Sequence, residues 1–197
     1  MKSFLYLFLL ITGLLSAAGC SSKQDDPTPR DPEAVVSLQR TISYPSGSLA
    51  NQVQEYSQLT LQTKLAAQTD GSAQLSFVAL GGKDKVILTI AQSLFSTGQT
   101  GSYALKNQFD PQGSFSAAYT YYVVNRPGEL QSHSYSANHM QGKLTVTSYD
   151  TQRRLLSGTY HLVLADVADP NDETLGNSSG LRSRVELVGS FENLKME

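Results

Sequence analysis

The chain has 197 residues, with 15 Lys and Arg against 17 Asp and Glu, and 10 Tyr and 7 Phe beside no Trp. A formal net charge of −2 excludes the basic footprint that nucleic-acid binding needs. A single cysteine, Cys20, excludes an intramolecular disulfide, so packing and hydrogen bonding must carry the stability.

The N-terminus has the layout of a bacterial lipoprotein signal. Lys2 is a positive n-region, Phe4 to Leu15 an apolar h-region, and Ser16-Ala17-Ala18-Gly19 leads in small residues up to Cys20. The apolar run is shorter than the roughly 20 residues that span a bilayer. The pattern therefore predicts a signal peptide over residues 1–19, cleavage before Cys20, and acylation of that residue as the attachment to the membrane. Ala17 stands three before the cysteine, where Leu is usual. An ordinary secretory signal with an incidental Cys20 would leave an exposed thiol in an oxidising compartment, a liability that acylation removes. Ser21-Ser22-Lys23-Gln24-Asp25-Asp26 is similar to the short acidic export signal of Bacteroidota surface lipoproteins, and it reads equally well as a solvated tether. No Asp follows Cys20 directly, so retention at the inner membrane is not suggested. Pro27, Pro29 and Pro32 extend a semi-extended spacer, giving a flexible tether over 20–33. The expected address is the outer membrane, lipid-anchored, with the cell surface as a further option.

Loss of residues 1–19 leaves 178 residues and 14 basic against 17 acidic groups, enough for one domain over 34–197 with a single core. Its dominant signal is period-two alternation broken by turns. Leu59, Leu61, Thr63 and Leu65 are expected on one face of a strand, opposite Gln58, Thr60, Gln62 and Lys64. Asp70-Gly71 is a hairpin turn leading into a strand from Ala73 to Leu80, and Gly81-Gly82-Lys83-Asp84 turns again. Val86, Leu88 and Ile90 align next. Phe115, Ala117, Tyr119, Tyr121 and Val123 share a face of the longest alternation, which Arg126-Pro127-Gly128-Glu129 closes. Lys143 to Asp150 sets Leu144 and Val146 inward and returns near Gln152-Arg153 through Leu155 to Leu164, where Gly158 predicts a bulge or close backbone approach. Residues 166–180 read as a long exposed loop, and Arg184 to Phe191 as the closing strand. Leu49 to Gln58 is ambiguous, and no segment is a convincing amphipathic helix. About nine or ten strands at roughly 8–12-residue spacing predict an all-β domain, an antiparallel β-sandwich or flattened, calycin-like β-barrel.

Gly142-Lys143-Leu144-Thr145-Val146-Thr147-Ser148-Tyr149-Asp150, Leu156-Ser157-Gly158-Thr159-Tyr160 and Gly189-Ser190-Phe191-Glu192-Asn193-Leu194 together resemble a family of Bacteroidota lipoproteins of unassigned activity. That family's pattern runs G-x-L-T-I-T-x-Y-D, I-S-G-T-F-x-F and G-x-F-x-N-L. The resemblance covers mainly residues 142–194 and implies an all-β, calycin-like or sandwich domain without assigned enzymatic activity. The stretch between Ala165 and Arg182 is longer here than is usual for that family.

Little in the sequence carries chemistry. His133, His139 and His161 share no metal-ligand spacing, and no G-x-S-x-G elbow or phosphate-cradling glycine loop is present. Asp166, Asp169, Asp172 and Glu173 offer oxygen ligands of the kind calcium uses, but without the D-x-D-x-D-G order, so a solvated loop is the plainer expectation. Asn177-Ser178-Ser179 fits a glycosylation sequon that says little in a bacterial chain. Tyr119 and Tyr121 are expected in the core. Tyr122, facing the other way, and Tyr135 are the candidates for ligand or partner contact. No cofactor is expected.

The expected function is a non-catalytic outer-membrane or cell-surface lipoprotein, a binding or structural module for an unknown protein, glycan or small-molecule ligand. A calycin-like carrier with an internal barrel cavity is the alternative, and a hydrolase a distant third. An enclosed apolar cavity would favour the carrier, and a continuous packed core the surface binder.

Overall fold

Alternating side chains with turn residues between them give eleven antiparallel strands in a computed structural model that describes residues 30–45, 49–81, 83–96, 100–126, 129–169 and 181–197. The signal segment, Cys20, most of the tether, Pro127, Gly128, Asp172, Glu173 and Asn177 to Ser179 lie outside the described residues. Contacts divide the chain after Arg30, and all eleven strands belong to the unit Asp31–Glu197.

The strands are β1 (Val35–Ser43), β2 (Gln52–Ser57), β3 (Leu61–Ala67), β4 (Ala73–Ala79), β5 (Asp84–Ile90), β6 (Gly101–Ala104), β7 (Phe115–Arg126), β8 (Glu129–Ser136), β9 (Gln141–Asp150), β10 (Leu155–Ala168) and β11 (Arg182–Lys195). One helical turn, α1 (Ser93–Ser96), and a 3-10 turn at Ala137–His139 interrupt them. They form a β-sandwich of two sheets, ordered β2-β1-β11-β10-β9-β6 and β3-β4-β5-β7-β8. The sheets also touch through isolated parallel bridges at Leu65–Met196 and Leu105–Phe115.

Burial follows the pleat. In β4 and β5 every second residue is buried, and Phe115, Ala117, Tyr119 and Tyr121 line the inner face of β7. Leu144, Val146, Leu162 and Leu187 meet in the core as expected. Gly158 lies at a register shift in β10. A Cβ there would sit 2.4 Å from the Thr145 carbonyl oxygen and 2.8 Å from the Phe191 ring, so close approach requires glycine. Gly189, paired with Tyr160, is likewise covered by that ring at 2.3 Å from where its Cβ would be.

Several sequence expectations are corrected. Eleven strands are present among the described residues, against about nine or ten expected, because the short edge strands β2 and β6 carry too little alternation to stand out. The ambiguous segment before Gln58 is strand β2. Leu59 is 87% exposed rather than on the buried face of β3, since Ser57 and Thr60 bond each other across a turn that leaves it at the tip. The last strand is longer at both ends than expected. The exposed loop does not begin at Asp166: β10 runs to Ala168, and Asp169 is buried. Finally, Asp84 is no turn residue but the first, fully buried residue of β5.

Candidate functional site

Three polar residues stand where the inner-face alternation calls for apolar ones. Arg40 falls between Leu38 and Ile42 on β1, Asp84 precedes Val86 on β5, and Tyr119 lies inward on β7. Buried polar groups must find one another. The Tyr119 hydroxyl donates to Asp84 Oδ1 at 2.6 Å, and that of Tyr56, from β2, donates to Asp84 Oδ2 at 2.5 Å. Arg40 Nε lies 3.6 Å from the same Oδ2, and its guanidinium sits 4.8 Å from the centre of the Tyr121 ring. Arg40 and Tyr56 belong to one sheet, Asp84 and Tyr119 to the other. The carboxylate is thus a clamp between the layers.

Burial, and then the neighbouring Asp84 carboxylate, push the phenols of Tyr56, Tyr119 and Tyr160 well above their ordinary value of 10.0. Burial also raises Tyr135. Because the folded state holds these protons more tightly than the unfolded chain, their contribution is complete below pH 10 and is lost as pH rises beyond it. On the alkaline side, thermal melts should therefore show a midpoint that begins to fall above about pH 10, near the ordinary tyrosine value. A midpoint as high at pH 11.5 as at pH 9 would contradict this.

Tyr135 extends the cluster outward. It pairs with Tyr119 across β7 and β8, and the two rings stack with centroids 6.1 Å apart and planes at 13°. Its hydroxyl donates to the Ala168 carbonyl oxygen at 3.4 Å. From this edge of the sandwich an open cleft of about 530 Å³ runs between β8, the 3-10 turn, the start of β9 and the end of β10. Val163 and Val167 are buried beneath it, and Phe109, 76% exposed, is on its rim.

Two local devices fix the walls. The Asn107 side chain accepts from the backbone N–H groups of Phe109 and Asp110, both at 2.8 Å, and donates to the Met140 carbonyl at 3.0 Å, which pins the Phe109 turn to the end of the 3-10 turn just before β9. Across the cleft, β10 is irregular between Leu164 and Val167 and places Asp166 at φ 53°. Arg182 holds that bulge, donating from Nε to Asp166 Oδ1 at 2.8 Å and from Nη2 to the Asp166 carbonyl.

Of the two tyrosines singled out in the sequence, Tyr135 lines this cleft and Tyr122 does not. Tyr122 pairs with Ser132 on the opposite face of the sheet and is half-buried there. The histidines lie apart. His133 is opposite Tyr121, His139 is exposed on the 3-10 turn beside Ser136 Oγ at 3.3 Å, and His161 lies on β10 with Nε2 2.5 Å from Glu186 Oε1. The acidic quartet does not gather among the described residues, where Asp166 bonds Arg182 and Asp169 is buried. No group of three or more His, Cys, Asp or Glu among the described residues could hold a metal ion.

Sequence reasoning missed the Arg40–Asp84 clamp, Phe109 and Arg182. A signal for the clamp was present, since a charge at an inward position of an otherwise apolar alternation requires a buried partner. Geometry defines an antiparallel β-sandwich with a cleft at one edge. No family model matches the chain, and the search of curated proteins finds no match either.

Proposed function

We propose that this chain is a non-catalytic lipoprotein of the bacterial outer membrane, held by acyl groups on Cys20, whose β-sandwich serves as a binding module through the cleft beside Tyr135. The observation that carries the binding role is the combination of a filled interior with an open, aromatic-lined cleft. The space between the sheets is occupied by one continuous cluster of aliphatic and aromatic side chains, while the cleft at the edge opens to solvent. Small-ligand sites are concavities of about 300–1,000 Å³ with apolar walls and a few placed polar groups, and this cleft has that size and lining. A carrier would hold its ligand inside a barrel, so the packed core supports the surface binder over that alternative. The resemblance of residues 142–194 to Bacteroidota lipoproteins agrees with the proposed anchor and address.

One acyl chain binds a membrane only marginally, and stable anchoring takes two signals, each buried CH₂ adding about 0.8 kcal/mol. Cys20→Ala should abolish incorporation of a fatty-acid analogue in metabolic labelling and release the protein from the membrane fraction. Label retained by the variant would refute the anchor. Binding itself is tested by titrating the full chain, purified in detergent, with mixed libraries of small ligands. Signals that shift around Tyr135 and Phe109 support the module, and a library that binds nowhere near them counts against it.

A further inference from the structure

We infer that the cleft beside Tyr135 takes a neutral saccharide, with Phe109 and Tyr135 as its aromatic walls. This deepens the binding role proposed above and rests on it.

The formal charges lining the cleft, Arg182 and Asp166, pair with each other at 2.8 Å and cancel. The lining therefore presents no net formal charge that would draw an anionic or a cationic ligand in preference to a neutral one.

The remaining polar lining favours hydroxyl groups. Gln108, Asn138 and Gln141 line the cleft, and each side-chain amide both donates and accepts. A sugar hydroxyl does the same, so an amide can serve either role of a hydroxyl pair, whereas a purely acceptor or purely donor lining would serve one. The apolar faces of a pyranose ring need flat apolar surface, and the two aromatic rings supply it.

Phe109 is the more telling of the pair. A phenyl ring left 76% exposed has no burial to hold it, yet the turn that carries it is fixed by the three Asn107 side-chain bonds. Tyr135 is held from behind by Tyr119, itself bonded to Asp84, so this ring is positioned before any ligand arrives. A preorganised ring loses little freedom on binding. The cleft is open to solvent, which lets a chain of sugars continue beyond it instead of ending inside.

The test is calorimetric titration and saturation-transfer NMR of the full chain in detergent with cellotriose, maltotriose, mannotriose, xylotriose and N-acetylchitotriose, alongside a panel of uncharged and charged tripeptides. At least one trisaccharide should bind, with saturation transferred to its ring protons. Phe109→Ala should weaken that binding by about tenfold, the worth of burying part of an aromatic face. Gln141→Ala should weaken it by about threefold to tenfold, the net value of one hydrogen bond. Both positions are exposed, so circular dichroism melts should match the parent and confirm that the variants fold. Tripeptides binding at Phe109 and Tyr135 while every trisaccharide fails would overturn the saccharide and keep the binding module. Failure of both panels would overturn both. Trisaccharide binding that Phe109→Ala and Gln141→Ala leave intact would place the sugar elsewhere and overturn the inference.

Discussion

Asp84→Ala should lower the free energy of unfolding by about 3–5 kcal/mol at pH 7, because it leaves a buried positive charge without its partner. Arg40 is 5% exposed and cannot turn to water, and the hydroxyls of Tyr56 and Tyr119 lose their acceptor in the same step. An unsatisfied buried donor costs about 1–3 kcal/mol, and these losses share one carboxylate, so they will not simply add. The double variant Arg40→Met, Asp84→Leu removes both charges and fills the volume with carbon. It should recover the part of the loss that comes from the unpaired charge, as buried ion pairs replaced by packed apolar groups often do, while the two hydroxyls still lack their acceptor. Urea denaturation of the three proteins measures both effects. Asp84→Ala within 1 kcal/mol of the parent would mean that the clamp does not hold the sheets together.

The fold was legible in the sequence where the pleat alternates over seven or more residues with a buried face. β4, β5 and β7 follow that pattern, and the aligned Val86, Leu88 and Ile90 and the inward Leu144 are fully buried. It was illegible where a strand is an edge or a turn borrows its first residues. β2 shows no alternation because five of its six residues are exposed, and its pairing to β1 comes from backbone bonds that a side-chain pattern does not record. Leu59 repeats the spacing of Leu61 and Leu65, so only the Ser57–Thr60 hydrogen bonds, invisible to periodicity, reveal that it leaves the strand. In the sequence β10 ends at Leu164, because Ala165-Asp166 interrupts the alternation of large apolar residues. The irregularity there keeps Val167 inward after a two-residue interruption, and period two cannot see across such a break.

The site was less legible than the fold, for a physical reason. Tyr135 could be singled out from its ring and hydroxyl, but the cleft it lines is assembled from five segments distant in sequence, from Gln108 to Arg182. Tyr122 carries the same local signal and lies on the other side of the sheet from Tyr135, since they are thirteen positions apart on paired strands and the register sets which face each takes. Asp84 read as a turn residue because Gly81, Gly82 and Lys83 precede it, and acidic residues favour turns. Its real role needed a partner from β1, 44 positions earlier in the chain.

Leu162→Ala should cost about 4 kcal/mol, in the upper part of the range for removing a buried leucine. The size of the loss depends on whether neighbours can close the hole. Leu162 is fully buried on β10, paired with Leu187 on one side and Gly142 on the other. Its Cδ2 would lie 2.9 Å from a Cβ at Gly142, so the leucine occupies the space that a side chain there would fill. Glycine has nothing to move into the cavity. Nor can Gly142→Ala refill it, because the added methyl would meet the His161 carbonyl oxygen at 2.3 Å. The adjacent backbone is held on both sides by ladder bonds to β9 and β11, which resist collapse. Gln62→Ala, on the exposed face of β3, should change stability by less than about 0.5 kcal/mol. Chemical denaturation of the two variants under one set of conditions separates these outcomes. Equal midpoints would place Leu162 outside the core and shift the register of β10 by one residue, since a single step in a strand exchanges its two faces.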